Sequence, residues 1–419
     1  MDPILINDQV HGVIRIKEPL LIELLDTPEV QRLRDIYQLG FVHLVYPNAT
    51  HTRQSHSLGA MHVASKMAEA LNLSERDRLI AIASLLLHDV GHGPYSHVFE
   101  LLVKSKINLG HMDLTEGIIS GKRLIPVSKF ISEKKPAGRI PEILKKYGIS
   151  AEEVSALIQG GKNSLVNDIV HSSVDADQID YMLRDATFTG VSYGGIQVQR
   201  LLELMCTDKD GRLCFDKKAI NPLMQMATGR YSMYSSVYMH HTVRIAEALF
   251  MRLVELNPEM LNLQNGVPKA YAFSDTTFLE ACRQGETASQ YVDMLKYRLL
   301  PKRAHTVSVS KIQNHVDEIK KLRNENNKLI KTIAERASVS SDYVIVDWPI
   351  DIINFTEPRI RKFGRILQDD GSSIPLHEIS PAVAALQDAV PYAIGVYAPQ
   401  EFRDKVGKAA ESVFSEVLK

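Results

Sequence analysis

Seven of the fifteen histidines in this chain fall within residues 51–111: His51, His56, His62, His88, His92, His97 and His111. Imidazole is a common metal ligand, and its ordinary pKa of about 6.5 lets it move protons near neutral pH. Clustering this dense points to metal binding, acid-base chemistry or both. Its centre is LIAIASLLLHDVGHGPYSH, residues 79–97. A nearly all-apolar helix there delivers His88 and Asp89 at its end, and a buried carboxylate is costly unless a positive partner accompanies it. Imidazole and carboxylate both ligate transition metals. Gly91, Gly93 and Pro94 stop the helix beside them, which leaves the site open to substrate.

Two further stretches supply companions. VDADQIDYMLRD, residues 174–185, has helical spacing that places Asp177, Tyr181 and Arg184 on one face. That makes Asp177 a remote carboxylate ligand; a solvated acidic helix is the plain alternative, and the histidine cluster weighs against it. RYSMYSSVYMHHTVR, residues 230–244, repeats Arg230, Tyr234, Tyr238 and His241 at steps of four, four and three. Read as one helix, this face either grips a polyphosphate or packs as a tyrosine stripe with its arginines reaching outward.

The elements that must position these residues are mostly helices. Residues 4–16 alternate around an expected turn at Asn7-Asp8, a short hairpin, and Pro19 to Leu39 carries helical spacing. From Ser57 to Gln313 helix follows helix, with no internal repeat. Residues 311–336 read as one charged amphipathic helix lying on the body, in preference to an intersubunit coiled coil, because its seam spans too few heptads. Tyr343–Trp348 and Tyr392–Tyr397 read as strands and Phe402–Leu418 as a closing helix. The expected fold is mainly α: a helical bundle with an N-terminal β-hairpin and a small α+β C-terminal region. The expected parts are 1–50, hairpin and helix packed on the core, 51–310, the helical domain with the site, and 311–419, the amphipathic helix and α+β region.

Composition bounds the function. The 419 residues are 45% hydrophobic and 24% charged, with net charge -1, so no bulk field draws the chain to nucleic acid or anionic lipid. Phosphate binding must be local. Three cysteines form neither a disulfide framework nor CxxC knuckles, the N-terminus lacks a signal-peptide layout, and no apolar run reaches a spanning length. The expectation is a protein of the reducing cytoplasm with no membrane partner.

DTPEVQRLRDIYQLG (26–40), YPNATHTRQSHSLG (46–59), HDVGHGPYSH (88–97) and VDADQIDYMLRD (174–185) occur in an order and spacing that resembles the HD-domain phosphohydrolases, in the branch of deoxynucleoside triphosphate triphosphohydrolases. The resemblance covers residues 4 to about 250. It implies a divalent metal on His56, His88, Asp89 and Asp177, with manganese, iron or magnesium ahead of cobalt, nickel or zinc. It implies catalytic roles for His92, His97 and His111. Arg53 looks like a phosphate contact, Gln38 and Leu39 like residues against the sugar, Tyr181 and Asp185 like contacts to the sugar 3′-hydroxyl, and Arg230 and Tyr238 like further phosphate and sugar contacts. Asp26, Gln31 and Arg34 match residues that bind an activating nucleotide at a subunit interface, and relatives are commonly homo-oligomers, dimers or tetramers.

Two positions depart from the pattern. Met112 stands where a glutamate usually follows the third histidine, with Asp113 or Glu116 the expected substitutes for orienting His111. Gln178 stands where relatives often carry a phosphate-binding lysine. The implied reaction is hydrolysis of a dNTP to nucleoside and triphosphate. The alternatives are a nucleotide phosphomonoesterase or phosphodiesterase, and a nucleotide-binding regulatory protein.

Overall fold

In the computed structural model, residues 2–161, 164–348, 363–388 and 393–418 are described. The chain forms two compact units, each assembled from three segments: Met1–Met233, Pro258–Ala281 and Arg359–Leu386 in the first, Tyr234–Asn257, Cys282–Pro358 and Gln387–Lys419 in the second. This division does not coincide with 1–50, 51–310 and 311–419, because the chain leaves the first unit and returns to it twice.

The first unit opens with β1 (Ile4–Asp8) paired antiparallel to β2 (Gly12–Ile16), Ile4 opposite Ile16. The turn falls at residues 9–11, later than expected at Asn7-Asp8. The Asp8 carboxylate accepts the amides of Val10 and His11, and Gly12 takes φ +71°, so Asp8 ends the strand and caps the turn. The helical stretch after Pro19 is broken into α1 (Pro19–Leu25), α2 (Pro28–Gln31) and a 3-10 turn, Arg32–Asp35. Pro28 forces Thr27 out of helical geometry, to ψ 146°.

Helices α3 (Arg53–Ala70) and α4 (Glu75–Leu87) pack together, α3 capped by Thr52 and α4 by Ser74, whose side chains accept amides of their first turns. The last two turns of α4, Ile80 to Leu87, are wholly buried. Then come α5 (His97–Ile107) and α6 (His111–Ile119), and further on the helix Ala176–Thr189, which lies against α3. Gly59 permits that approach: a Cβ there would lie 1.9 Å from Asp180 Oδ1.

Helix does not run unbroken from Ser57 to Gln313. Met205–Thr207 and Leu213–Phe215 form a hairpin, extended by Arg365–Leu367 and Ser373–Pro375 into a four-stranded sheet, and Leu263–Gln264 pairs with Val267–Pro268. Asp208 makes the first turn, accepting the amides of Asp210 and Arg212, with Gly211 at φ +72°. The stretch 230–244 is not one helix either. A helix ends at Met233, Tyr234–Tyr238 form a π-turn, and a new helix starts at His241, so Arg230, Tyr234, Tyr238 and His241 do not share one regular α-helical face.

The second unit carries the sheet Lys302–Val307, Ile394–Ala398, Ile345–Asp347, in that order and antiparallel. The helix Arg403–Val417 covers it, burying Val406, Val413 and Phe414. The strands expected at 343–348 and 392–397 are present with shifted ends; Tyr392 lies outside the described residues. The helix expected over 311–336 is three, Val309–Asn314, Val316–Asn324 and Asn326–Ala337, broken at His315 and Glu325. Asparagine flanks each break and competes with helical hydrogen bonding. Their apolar stripe, including Ile319, Leu329 and Ile333, is buried in this unit's own core, as expected of a helix lying on the body.

Candidate metal and phosphate site

His56 lies one turn into α3, His88 caps the end of α4, Asp89 follows it, and Asp177 opens the helix Ala176–Thr189. Four residues spread over 122 positions therefore converge. His56 Nε2 is 2.9 Å from Asp177 Oδ1 and 3.2 Å from His88 Nε2, and His88 Nε2 is 3.3 Å from Asp89 Oδ1. The His56 side chain is 1% exposed and that of Asp177 37%, so the cluster opens to solvent on the aspartate side.

The donor set fits a divalent cation. His56 Nδ1 donates to Asp180 Oδ2 at 2.8 Å, and His88 Nδ1 donates to the Leu85 carbonyl at 2.7 Å. With both Nδ1 atoms committed, the two neutral Nε2 lone pairs point at one another, an arrangement a shared cation satisfies. Without one, a proton takes its place. Burial opposes charge on His56, but hydrogen bonds to Asp177 and Asp180 overcome it and push its pKa up to about 10.

Asp180 belongs to a second layer. His11, from the turn of the hairpin, reaches Asp180 Oδ1 at 2.7 Å, and Arg184 clamps Asp180 while pairing with Asp8 at 2.8 Å. Arg184 thus serves the hairpin and does not share an open face with Asp177.

Arg53, 2% exposed, donates to Asp89 Oδ2 at 2.7 Å and Ser96 Oγ at 2.6 Å, and its Nη2 lies 3.3 Å from His97 Nε2. Burial would raise the Asp89 pKa; Arg53 and the surrounding histidines hold it well below the usual range. Asp89 thus stays a carboxylate, Oδ1 facing the cluster and Oδ2 facing Arg53.

The other histidines pack beside this pair, His111 stacked on His92 and His97 edge-on to it. The ring of His92 lies 4.6 Å from His111 and 5.1 Å from His97. His111 Nδ1 donates to Glu100 Oε1 at 2.5 Å, and His97 Nδ1 lies 3.7 Å from Glu100 Oε2. Glu100, one turn into α5, is therefore the carboxylate that orients His111. Neither Asp113 nor Glu116 does so, since Asp113 caps α6 through the Gly110 amide and Glu116 accepts from Gln159. Burial raises the Glu100 pKa, and His111 and His97 outweigh it and keep the group ionised. His92 is driven well below its usual value by burial and by Arg53.

A loop holds these groups in register. Tyr95 and Ser96 take φ +56° and +52°, a strained conformation for residues other than glycine, roughly 1–3 kcal/mol each. Asp275 secures it, accepting the Tyr95 and Tyr37 amides at 2.8 Å each. Arg32 donates to the carbonyls of Val90 and His92. Asp275→Ala leaves the buried Tyr95 amide and the half-buried Tyr37 amide without acceptors, at roughly 1–3 kcal/mol for the buried one. Urea denaturation is expected to show that loss; a shift under 0.5 kcal/mol, about the size of a neutral surface change, contradicts it.

Around this centre Gln38 is buried, its amide bonded to the His51 carbonyl, and Leu39 is half-buried beside it in the chain. Asp185 is buried with Oδ1 2.8 Å from His51 Nε2, and Tyr181 is half-buried on the same helix. Arg230 donates to Gln178 Oε1 at 2.9 Å, whereas Tyr238 belongs to the second unit. Asp26 pairs with Lys135 at 3.4 Å, Gln31 donates to the Leu25 carbonyl, and Arg34 donates to Gln54. Glu100, Asp180, His11, Arg32 and Asp275 were not singled out from sequence. Glu100 alone carried a usable signal, three residues after His97 on a helix.

Residues 53–181 match the HD domain and residues 196–416 the HD associated region. The chain belongs to the HD-domain phosphohydrolase superfamily. Members of the HD-domain family are metal-dependent hydrolases. This HD protein is 30% identical to an uncharacterised protein of Methanocaldococcus jannaschii over 94% of this chain and 79% of that one. It is 28% identical to the deoxynucleoside triphosphate triphosphohydrolase SAMHD1 homolog of Dictyostelium discoideum over 77% of this chain and 59% of that protein. With a Bacillus subtilis relative, 32% identical, the match spans 54% of the relative's length. The fold is shared with a hypothetical protein from Aquifex aeolicus, at TM-score 0.72 and 23% identity over 97% of this chain and 100% of that one. Among the described residues, no helix of the HD protein is long and apolar enough to cross a membrane.

Proposed function

We propose that this HD protein hydrolyses deoxynucleoside triphosphates to nucleoside and triphosphate. The observation that carries the reading is the convergence of His56, His88, Asp89 and Asp177 next to a buried arginine and a carboxylate-oriented histidine pair. A divalent cation held by those four supplies polarisation of a phosphoryl oxygen and a water of lowered pKa. The chain's own groups do the rest. Arg53 holds Asp89 ionised and keeps Nη2, beside His97, as the part of its guanidinium available to a phosphate. The positive charge absent at Gln178 is restored by Arg230, which is anchored on that glutamine.

Proton donation to the departing 5′-oxygen falls to His97, whose side chain is 66% exposed. His92 is unsuited to it, because burial and Arg53 keep it neutral. Glu100 fixes the Nδ1 proton of His111 and leaves Nε2 as the group that accepts or relays. Glu100→Gln is expected to lower kcat by about 10²-fold with KM little changed; a change confined to KM places Glu100 in binding instead.

Purified protein incubated with the four dNTPs and GTP, with Mg2+ and Mn2+ separately and Asp177→Ala as control, is expected to yield deoxynucleoside and triphosphate by chromatography. Release of monophosphate and pyrophosphate overturns the bond assignment. Inactivity in every mixture overturns the triphosphate reading and moves the substrate to a nucleotide monophosphate or cyclic nucleotide.

A further inference from the structure

Beside His62, whose ring lies 5.3 Å from that of His11, is a cleft unused by the reaction. It has a volume of about 260 Å³ and is formed by β2, the middle of α3 and the start of α4. Six charged side chains line it, Arg15, Lys17, Lys66 and Arg78 against Glu18 and Glu69. Glu18 is neutralised by Arg78 at 2.6 Å and Glu69 by Lys66 at 3.1 Å, while Arg15 and Lys17 make no ion pair among the described residues. Two uncompensated cations thus face a concavity in a chain whose net charge is only -1. Such a pair at one mouth is a local anion site.

The remaining wall tells what kind of anion. Val13, an exposed valine of β2, gives it an apolar flank, and His62, half-buried, offers an imidazole edge. Burial first, and then His11 and Lys66, hold the His62 pKa below its usual value against the opposing charges of Asp8 and Glu69. The volume lies below the roughly 300–1,000 Å³ of drug-sized sites, so the occupant is a small molecule with one compact charged group. The cleft is also wired inward. The His62 ring lies 5.3 Å from His11, His11 bonds Asp180 at 2.7 Å, and Asp180 bonds His56 at 2.8 Å.

We propose that this cleft is a second ligand site, for a small phosphomonoester, whose occupancy is felt at the metal cluster through His62, His11, Asp180 and His56. Arg15 and Lys17 hold the phosphate, His62 its ester side, and the apolar flank the carbon skeleton. Only the coupling rests on the metal reading above; the binding does not.

The test uses metal-free full-length protein with 13C-labelled histidines, ribose 5-phosphate as probe and ribose as control, the His62 signal being assigned with His62→Gln. Ribose 5-phosphate is expected to shift the His62 resonance saturably and ribose not at all. The double variant Arg15→Glu/Lys17→Glu is expected to weaken binding by about tenfold or more, whereas Asp177→Ala leaves it unchanged. No saturable shift at millimolar probe, an equal response to ribose, or binding lost in Asp177→Ala and kept in the double variant overturns the site. For the coupling, Mn2+ affinity is measured by calorimetry with and without ribose 5-phosphate. A change of about fivefold or more in wild type, absent in the double variant, is expected; an unchanged affinity overturns the coupling. Failure to bind Mn2+ at all removes the metal reading and with it the coupling, and leaves the phosphate site standing on its own result.

Discussion

Asp177→Ala is expected to abolish metal-dependent turnover, by on the order of 10³-fold or more, while the protein stays folded. The carboxylate is the most exposed member of the cluster, so its removal opens no cavity. It also relieves a neighbour. Asp175, buried at the start of the same helix, is pushed up to about 8 by burial and by the charge of Asp177. Thermal unfolding of the metal-free variant is therefore expected at or above the wild-type temperature, and added Mn2+, which stabilises wild type by mass action, is expected to do so no longer. Full turnover in this variant would remove Asp177 from the site. Unfolding of the variant without metal would show that the 2.9 Å contact of Asp177 with His56 carries the fold as well as the site.

The largest effect on stability belongs to Asp180, which no solvent reaches. Asp180→Ala leaves the buried Arg184 guanidinium with Asp8 as its one carboxylate partner and unpins His11 and His56, and breaking a buried pair of this kind costs about 3–5 kcal/mol. Metal affinity is expected to fall by roughly 10–100-fold, because His56 loses the acceptor that fixes its ring. Asp180→Asn keeps an acceptor for the His56 ring and is expected to recover part of the affinity. Equal stability of Asp180→Ala and wild type in urea contradicts the network. The same residue sets a pH dependence. Burial raises its carboxyl, but hydrogen bonds from His11 and His56 and the charge of Arg184 prevail and hold it far below 3.8, its unfolded value. A depressed folded pKa means the native state binds fewer protons than the unfolded chain, so this stability is full above the unfolded value and drains away as pH falls below it. Metal-free wild type is expected to lose stability steeply below about pH 4, and Asp180→Asn to lose much less.

Much of the site was legible because its chemistry is local in sequence. A helix as apolar as Leu79–Leu87 that ends in His88-Asp89 has to be buried up to its last turn, and the Thr52 cap starts α3 so that Arg53 and His56 lie in its first turn. Period alone put Asp177 on a helix, which the structure starts at Ala176. Other features depended on choices that residue spacing does not express. The π-turn at Tyr234–Tyr238 breaks a spacing of four, four and three that a regular helix would have honoured. His315 and Glu325 interrupt an amphipathic pattern that is continuous on paper. The hairpin Met205–Phe215 hid in a helical region, although Asp208-Lys209-Asp210-Gly211 is a turn signature.

What the sequence by itself determined is the inventory: the ligand types, the order of their helices, the arginine beside them, and a mainly α fold with an N-terminal hairpin. Tertiary structure alone decided the partnerships. Glu100 in place of a residue after His111, Asp180 behind His56, Asp275 beneath the strained Tyr95-Ser96 loop and Arg230 on Gln178 are contacts between residues 11, 124, 180 and 52 positions apart. Periodicity reports which face of an element is apolar. It does not report which buried charge another element will bring to that face, because that is set by close approach, as at Gly59, and by the need to pair every ion removed from water.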